Sequence, residues 1–175
     1  MRSAAKTINF GIIYGMSPHG LSNATGMSMV MATDFINKYK SIRKPIFDYM
    51  DEVIIKTREN GYAETLFGRR RYLPDITSKN FQIRTATERA AINMPIQGTE
   101  ADIMKLAMIE IDKQLNAMYP KANMLLQVHD SVIISAPNEV ADDVSSLVQK
   151  VMQEIYSLPV RLDVSVAFGT NWGEL

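Results

Sequence analysis

Apolar residues recur at helical spacing through most of the first hundred positions. The stretch from Arg2 to Tyr14 predicts a helix that stops at Gly15, a residue suited to ending helices. Residues 16–26 are rich in Ser, Gly, Pro and Asn, which predicts turns around at most one short helix. Further helices are expected over residues 28–40, 44–60 and 80–92. The first half is therefore predicted to be mostly helical.

Two of the helices are expected to bury a defined stripe. In the helix over residues 28–40, the stripe comprises Met29, Met31, Phe35 and Ile36. Pro95 and Gly98 should break the chain before a helix from Thr99 to about Met118, whose stripe comprises Met104, Met108, Ile111 and Leu115. Thr99 followed by Asp102 resembles a capping box, so Asp102 is expected to cap that helix.

β-strand patterns dominate the second half. Residues 62–76 predict a first hairpin around Phe67-Gly68. Two apolar runs, residues 122–128 and 131–136, predict a second hairpin with His129-Asp130 at its tip. A helix with a 3.6-residue apolar period follows from Pro137-Asn138, and alternation over residues 160–166 predicts a last strand with one buried face.

Composition narrows the class of protein. The 175 residues predict one domain or two small ones, and 46% apolar residues is the share of an ordinary globular chain. The absence of cysteine excludes disulfide scaffolds, thiolate zinc fingers and thiol nucleophiles. No apolar run approaches the length of a membrane span, so the expectation is a soluble, intracellular, cytoplasmic protein without a membrane partner.

Charge is distributed unevenly although the formal net charge is zero. Residues 1–100 carry a net +5 and residues 101–175 a net −5. This asymmetry is a weak indication of an anionic partner for the first part.

Four clusters of side chains could carry chemistry. Arg2, Lys6 and Phe10 lie at steps of four on one helical face, with Tyr14 further round, and could bind phosphates and stack on a base or sugar. Spacing alone favours a solvated basic face with Phe10 in the core. The other three clusters are His129-Asp130, the run Arg69-Arg70-Arg71, and the series Arg89, Asn93 and Gln97. Alone, His129-Asp130 is a weak indication, because an aspartate in a turn is very common. The arginine run by itself favours an exposed loop, and the Arg89 series fits a solvated polar helix face about as well as a binding site.

Together these segments indicate a function far more specifically than any one of the clusters does alone. The chain contains Arg2-x3-Lys6-x2-Asn9-Phe10-Gly11-x2-Tyr14-Gly15, then GRRRYLPD at 68–75, ERAAINxxIQGTxAD at 88–102, QVHD at 127–130 and TNWG at 170–173. In type and order, the first four resemble the fingers helix and later motifs of the family A DNA polymerases; the short last one adds little. The resemblance spans residues 2–130, and the remainder fits the family's last palm elements.

The resemblance implies a reaction and a fold. A primer 3′-hydroxyl would attack the α-phosphate of a deoxynucleoside triphosphate, and two Mg²⁺ ions would assist the phosphoryl transfer. The implied fold class is α+β, an incomplete right-hand polymerase with helical fingers over residues 1–80 and part of an antiparallel palm sheet over residues 81–175. Primer-template DNA and deoxynucleoside triphosphates would be the partners.

The resemblance also implies roles for the helix residues. Arg2 and Lys6 would hold the triphosphate, and Lys6 would also protonate the leaving pyrophosphate. Phe10 would pack on the deoxyribose, and Tyr14 would shape the pocket of the nascent base pair.

The later motifs would supply the remaining roles. Asp130 would be one of two metal-binding aspartates, with His129 beside the primer terminus. Arg89, Asn93 and Gln97 would contact the DNA backbone or minor groove, where acceptors are nearly independent of sequence.

Two departures from the family pattern are visible. Ser131 replaces the usual acidic residue after the His-Asp pair, and a hydroxyl is a poorer magnesium ligand than a carboxylate. The family's other palm aspartate belongs to a motif upstream of the fingers helix. The thumb and the first palm strands also lie upstream of that helix. The second carboxylate ligand is therefore expected to be absent from this chain. The chain is thus expected to be the carboxy-terminal part of a larger or split DNA-directed DNA polymerase, inactive alone. The alternative is a non-catalytic fragment that binds primer-template DNA.

Overall fold

The computed structural model describes the backbone of residues 2–175 and their side chains except those of residues 2–4 and 7. The helices are α1 Arg2–Ile13, α2 Pro18–Thr25, α3 Met29–Ile42, α4 Lys44–Asn60, α5 Phe81–Asn93, α6 Thr99–Met118 and α7 Ala141–Glu154. The strands are β1 Tyr62–Glu64, β2 Arg70–Tyr72, β3 Asn123–Val128 and β4 Ser131–Ser135. Short 3-10 turns occupy Pro74–Thr77, Asn138–Val140 and Trp172–Glu174. The predicted α+β class is confirmed.

Local capping sets the ends of the first helices. The hydroxyls of Ser17 and Ser28 accept hydrogen bonds from backbone N–H groups in the first turns of α2 and α3. Gly26 and Gly61 follow α2 and α4 with φ angles of 76° and 78°, a region that glycine adopts without steric cost. Helices α1, α3 and α4 begin and end within two residues of their predicted bounds.

Contacts divide the chain into two compact units. The amino-terminal unit contains the chain up to Ala63 together with Arg70–Met94, and the carboxy-terminal unit contains Glu64–Arg69 and Pro95–Leu175. The first unit holds two clusters of buried residues, one formed by Ile12, Leu21, Ala32, Ile36 and Tyr39 and the other by Val53, Ala63, Leu73, Ile76 and Ala91. The boundary between fingers and palm at residue 80 stays a prediction.

The predicted buried stripe of α3 is wrong at three of its four positions. Met29, Met31 and Phe35 are exposed. Ile36 is buried, together with Ala32 and Tyr39. These three residues follow the steps of four and three that one helical face requires, whereas the predicted set favoured the bulkiest side chains.

The core of the carboxy-terminal unit forms where α6 and α7 pack with the hairpin β3–β4. Its buried members are Ala107, Ile111, Leu115, Ala122, Val144, Val148 and Val151. Strand β3 pairs antiparallel with β4, from Asn123 opposite Ser135 to Val128 opposite Ser131, with an irregularity between Met124 and Leu126. Both predicted hairpins are therefore confirmed, with His129 and Asp130 between the strands of the second.

Residues 160–166 do not form the predicted strand. Of the apolar positions expected on its buried face, Leu162 and Val164 are half-buried, whereas Val160 and Val166 are exposed. No described strand pairs with this segment. The carbonyl of Val164 instead accepts a hydrogen bond of 2.7 Å from Nε2 of Gln149 on α7. A cavity of about 1070 Å³ is lined by β4, α7 and residues 163–172, Glu174 and Leu175. Alternation alone does not make a strand, because the backbone groups need a neighbouring strand.

None of the helices in the described residues combines the length and the apolar character that crossing a membrane requires.

Candidate functional site

Helix α1 presents three candidate side chains in a row. The Lys6 ammonium lies 5.9 Å from the centroid of the Phe10 ring, and the Phe10 and Tyr14 rings are nearly parallel with centroids 6.3 Å apart. The steps of four place each side chain above the next on one face. The side chain of Arg2, also predicted for this face, lies outside the described residues.

The exposure of this face suits a ligand. Phe10 is 51% exposed and Lys6 is exposed, whereas Tyr14 is half-buried. Spacing alone favoured a position for Phe10 in the core, and the structure shows that Phe10 does not lie there. A cation beside an accessible flat ring can bind a phosphate at one end and pack on a sugar or base at the other.

The opposite side of α1 is anchored in the amino-terminal unit. Ile12 is buried in the first cluster, and the Tyr39 hydroxyl donates a hydrogen bond of 2.9 Å to Oδ1 of Asn9. The Arg43 guanidinium lies 4.2 Å from the Tyr39 ring centroid, and the Phe47 ring packs edge-on against it. Sequence reasoning missed this anchor, because Tyr39 lies thirty positions from Asn9 and no local pattern connects them.

Removal of the Tyr39 hydroxyl is expected to loosen α1. Tyr39→Phe should lower the free energy of unfolding by about 1 kcal/mol, because the Asn9 amide loses a partly buried partner. Urea denaturation followed by circular dichroism measures the change. Tyr49→Phe, at an exposed position on α4, is the matched control and should change stability by less than about 0.5 kcal/mol. Equal effects of the two substitutions would contradict the anchoring role.

The tip of the β3–β4 hairpin is held by its own side chains. His129 has a positive φ of 55°, an unusual conformation for a residue other than glycine. Nε2 of Gln127 donates to the His129 carbonyl at 2.7 Å, and the Ser131 hydroxyl donates to the Val128 carbonyl at 2.8 Å. Asp130 is exposed at this tip, and its carboxylate thus stands on a fixed turn.

Asp130 fits one ligand position of a magnesium ion. Mg²⁺ is typically bound by one or two carboxylates together with substrate phosphates and water. Nowhere in residues 2–175, as far as they are described, do three Asp, Glu or His side chains gather as a metal site. The Ser131 hydroxyl donates its proton to the Val128 carbonyl.

The series Arg89, Asn93 and Gln97 is not interrupted as predicted. Instead of a break at Pro95, a π-helical turn over Met94–Gly98 joins α5 directly to α6. The wider turn tolerates proline, which has no backbone N–H. Arg89 is exposed and Asn93 half-buried on α5, while Gln97 is exposed on the π-helical turn, so regular α-helical spacing does not govern its direction.

Asp102 does not cap α6, contrary to the prediction. Helix α6 begins after Gly98 without a side-chain cap. The Thr99 hydroxyl accepts the backbone N–H of Leu66 at 2.9 Å, while Asp102 turns inward and is only 5% exposed. The capping-box pattern fails because the chain is already helical before Thr99, so the first-turn N–H groups have backbone partners.

Asp102 is ion-paired at its buried position. Its Oδ1 accepts a hydrogen bond of 2.6 Å from Nε of Arg69, and its Oδ2 accepts one of 2.8 Å from the Thr65 hydroxyl. Burial by itself disfavours the charged carboxylate, but the bonds from Thr65 and Arg69 and the charges of Arg69 and Lys105 outweigh it. The pKa of Asp102 consequently lies below its ordinary value.

Comparison with known proteins identifies relatives along nearly the whole chain. The profile of DNA polymerase family A matches residues 1–174. DNA polymerase I of Deinococcus radiodurans is 50% identical over 171 residues, which are 98% of this chain and 18% of that protein. The thermostable DNA polymerase I of Thermus aquaticus is 46% identical over 172 residues, 98% of this chain and 20% of that protein.

A solved structure shares the fold. The polymerase domain of Pol1 from M. smegmatis, in complex with DNA primer-template and a deoxynucleoside triphosphate, superposes with a TM-score of 0.90 at 38% identity. The match covers 98% of this chain and 30% of that one. The chain therefore spans about a fifth of the length of the curated relatives it matches.

Proposed function

Because the chain belongs to DNA polymerase family A, we propose that it carries the nucleotide-binding helix and one metal-binding carboxylate of a template-directed DNA polymerase. The observation that carries the proposal is the row of Lys6, Phe10 and Tyr14 on α1, in which Lys6 and Phe10 are exposed. Such an enzyme adds deoxynucleotides to a primer 3′-hydroxyl by phosphoryl transfer, and catalysis depends mainly on positioning and electrostatic stabilisation. The proposed substrates are primer-template DNA and deoxynucleoside triphosphates.

On α1, each proposed role follows from the chemistry of the side chain. Arg2 and Lys6 bind the triphosphate, and Lys6 donates a proton to the pyrophosphate oxygen as that oxygen gains charge. Phe10 packs against the deoxyribose with its exposed ring face. Tyr14, stacked behind Phe10 and half-buried, borders the pocket of the nascent base pair.

At the hairpin tip, we propose that Asp130 binds magnesium and that His129 lies beside the primer terminus. Family A polymerases generally use Mg²⁺, and two such ions when bound stabilise charge on the attacking and leaving oxygens. Asp130 holds its carboxylate on a turn that Gln127 and Ser131 fix by hydrogen bonds, and this support keeps the ligand oriented. A second carboxylate would come from the family's upstream palm motif, which is not among these 175 residues.

The DNA contacts are proposed to come from α5 and the π-helical turn. Arg89 can bind a backbone phosphate, while the amides of Asn93 and Gln97 can donate to minor-groove acceptors. These acceptors differ little between base pairs, which suits an enzyme that copies any sequence.

An upstream palm and thumb segment is proposed to complete the site. Strand β4 has one unpaired edge among the described strands, and the cavity lined by β4, α7 and residues 163–172, Glu174 and Leu175 leaves apolar surface accessible. An added strand would satisfy those backbone groups and cover that surface. The isolated chain is therefore proposed to be inactive.

Phe10 is expected to set discrimination at the sugar. Phe10→Tyr places a hydroxyl where a dideoxynucleotide lacks its own, and one recovered hydrogen bond of about 1 kcal/mol corresponds to roughly a fivefold to tenfold gain. The ratio of kcat/KM for dideoxynucleotides to that for deoxynucleotides measures the gain. An unchanged ratio would contradict the proposed contact between Phe10 and the deoxyribose.

A chimera tests the function directly. The matching carboxy-terminal 18% of the Deinococcus radiodurans polymerase is replaced by this chain, and primer extension is measured. We expect extension that requires Mg²⁺ and all four deoxynucleotides. A chimera that binds primer-template DNA but extends nothing would favour the non-catalytic alternative.

A further inference from the structure

Asp102 is a buried carboxylate that the proposed chemistry leaves unused. It lies in the first turn of α6, and both of its oxygens accept hydrogen bonds, from Arg69 and Thr65. A buried charge is costly unless it is paired. The partner of Asp102, Arg69, therefore indicates where its role is to be sought.

The ion pair with Asp102 engages only part of the Arg69 guanidinium. The guanidinium uses Nε for Asp102, and its side chain is 55% exposed. Within the part of the chain that the structure describes, neither Nη atom has a hydrogen-bond partner. The four Nη–H donors therefore face outward on a planar group that Asp102 holds from behind, and such a fork matches two phosphate oxygens.

The backbone that carries Arg69 is fixed by the same network. Besides donating to Asp102, the Thr65 hydroxyl accepts the N–H groups of Phe67 and Arg69, each at 3.2 Å. Gly68 closes the turn with a φ of 78°. The Leu66 N–H bonds to Thr99 at the start of α6. Arg69 is thus positioned at both ends, its backbone by Thr65 and its guanidinium by Asp102.

We infer that Asp102 is a positioning residue that orients Arg69 to bind a backbone phosphate of primer-template DNA. The inference rests on the proposed function and adds to it a specific contact and the residue that directs it. Arg69 is the first of three consecutive arginines in the sequence. The triphosphate-binding residues proposed above lie on a different element, α1.

The salt dependence of DNA binding tests the Arg69 contact. The 175-residue chain is titrated into fluorescent primer-template DNA, and anisotropy gives the affinity from 50 to 200 mM salt, values chosen because the phosphate contribution is steep there. Arg69→Gln should reduce the slope of log K against log salt by about 0.9, the value of one lost phosphate contact. Arg161→Gln is the matched control, because that exposed arginine also faces an aspartate, Asp163, at 3.3 Å, and its slope should not change.

Two further variants separate positioning from fold stability. Asp102→Asn should reduce the slope in the same direction as Arg69→Gln and should add no further reduction in the double variant, because it acts through Arg69. Ile111→Val shortens a fully buried side chain in the core of the same unit, outside the network around Arg69. It should lower Tm but leave the salt slope unchanged. Tm is measured for every variant.

Each outcome decides the inference. An unchanged slope for Arg69→Gln overturns it, as does an additive effect of Asp102→Asn in the double variant. A rise in the nucleotide KM of the chimera carrying Arg69→Gln, without loss of DNA affinity, also overturns it. If Asp102→Asn does not fold, Arg69→Lys replaces it. A single ammonium lacks the fork that holds Asp102 and a phosphate at once, so affinity should fall, and normal affinity would overturn the positioning role. If the wild-type chain shows no salt-dependent DNA binding, the proposed function fails. If the wild-type chain binds DNA but the Arg69 and Asp102 variants do not show the predicted salt slopes, the inference alone fails.

Discussion

Asp130→Ala is expected to reduce primer extension by the chimera with the Deinococcus radiodurans polymerase by at least a hundredfold to a thousandfold. Loss of one metal-binding carboxylate removes several kcal/mol of transition-state stabilisation, and each 1.36 kcal/mol is a factor of about ten in rate. Affinity for primer-template DNA should not fall, because Asp130 carries no positive charge for the phosphates. Single-nucleotide addition and anisotropy on the same preparations measure the two quantities.

The neighbouring residue supplies the control for Asp130. Ser131→Ala removes a side chain from the same turn, but its hydroxyl is engaged with the Val128 carbonyl and carries no ligand role in the proposal. It should retain activity within about tenfold, since one hydrogen bond of the turn is worth about 1 kcal/mol. Near-normal primer extension by Asp130→Ala, or equal losses of extension in both variants, would contradict the proposal that Asp130 binds magnesium.

Lys6→Ala is expected to damage the chemical step. Loss of a positioned acid costs about a hundredfold to ten-thousandfold, and an interaction made mainly in the transition state lowers kcat and kcat/KM together. Affinity for primer-template DNA should stay unchanged, since α1 is proposed to face the triphosphate. Single-turnover kinetics of the chimera separate these effects.

Another lysine in the amino-terminal unit provides a matched control for Lys6. Lys40 on α3 has a similar environment, with its ammonium 5.5 Å from the Phe47 ring, but no proposed role in the reaction. Lys40→Ala should leave kcat unchanged. If Lys6→Ala instead loses primer-template affinity while turnover stays normal, Lys6 belongs to a DNA-backbone contact.

Local rules account for what the sequence predicted well. Helices α2 and α3 begin at a capping serine, and helices α2 and α4 end at a glycine; these signals lie within a few residues of each boundary. The hairpin β3–β4 was predictable because a two-residue link between apolar runs leaves antiparallel pairing as the only short connection.

Tertiary context explains what the sequence did not predict. Alternation over residues 160–166 indicated a strand, yet a strand requires a partner for its backbone, and periodicity contains no information about the partner. The capping pattern at Thr99 and Asp102 was overridden because the π-helical turn keeps the chain helical and Arg69 draws Asp102 inward. No pattern within a short window could connect residues thirty-three positions apart.

The candidate site likewise contains residues that the sequence could propose and residues that it could not. Motif order and local spacing were enough to propose Lys6, Phe10, Tyr14 and Asp130, since each belongs to one helix face or one turn. The residues that support them were not predictable, because the hydrogen bond between Asn9 and Tyr39 and the ion pair between Arg69 and Asp102 form only in the folded chain. Supporting contacts of this kind hold functional side chains in their productive geometry.

Primer extension in trans tests most directly whether this chain supplies one part of a polymerase active site. The upstream segment of the Deinococcus radiodurans polymerase and this 175-residue chain are purified separately and assayed alone and mixed, with Mg²⁺, primer-template DNA and deoxynucleotides. The account predicts no extension by either part, extension by the mixture, and none when the chain carries Asp130→Ala. Extension by the chain alone that Asp130→Ala abolishes, or a mixture that binds DNA but never extends it, would contradict the account.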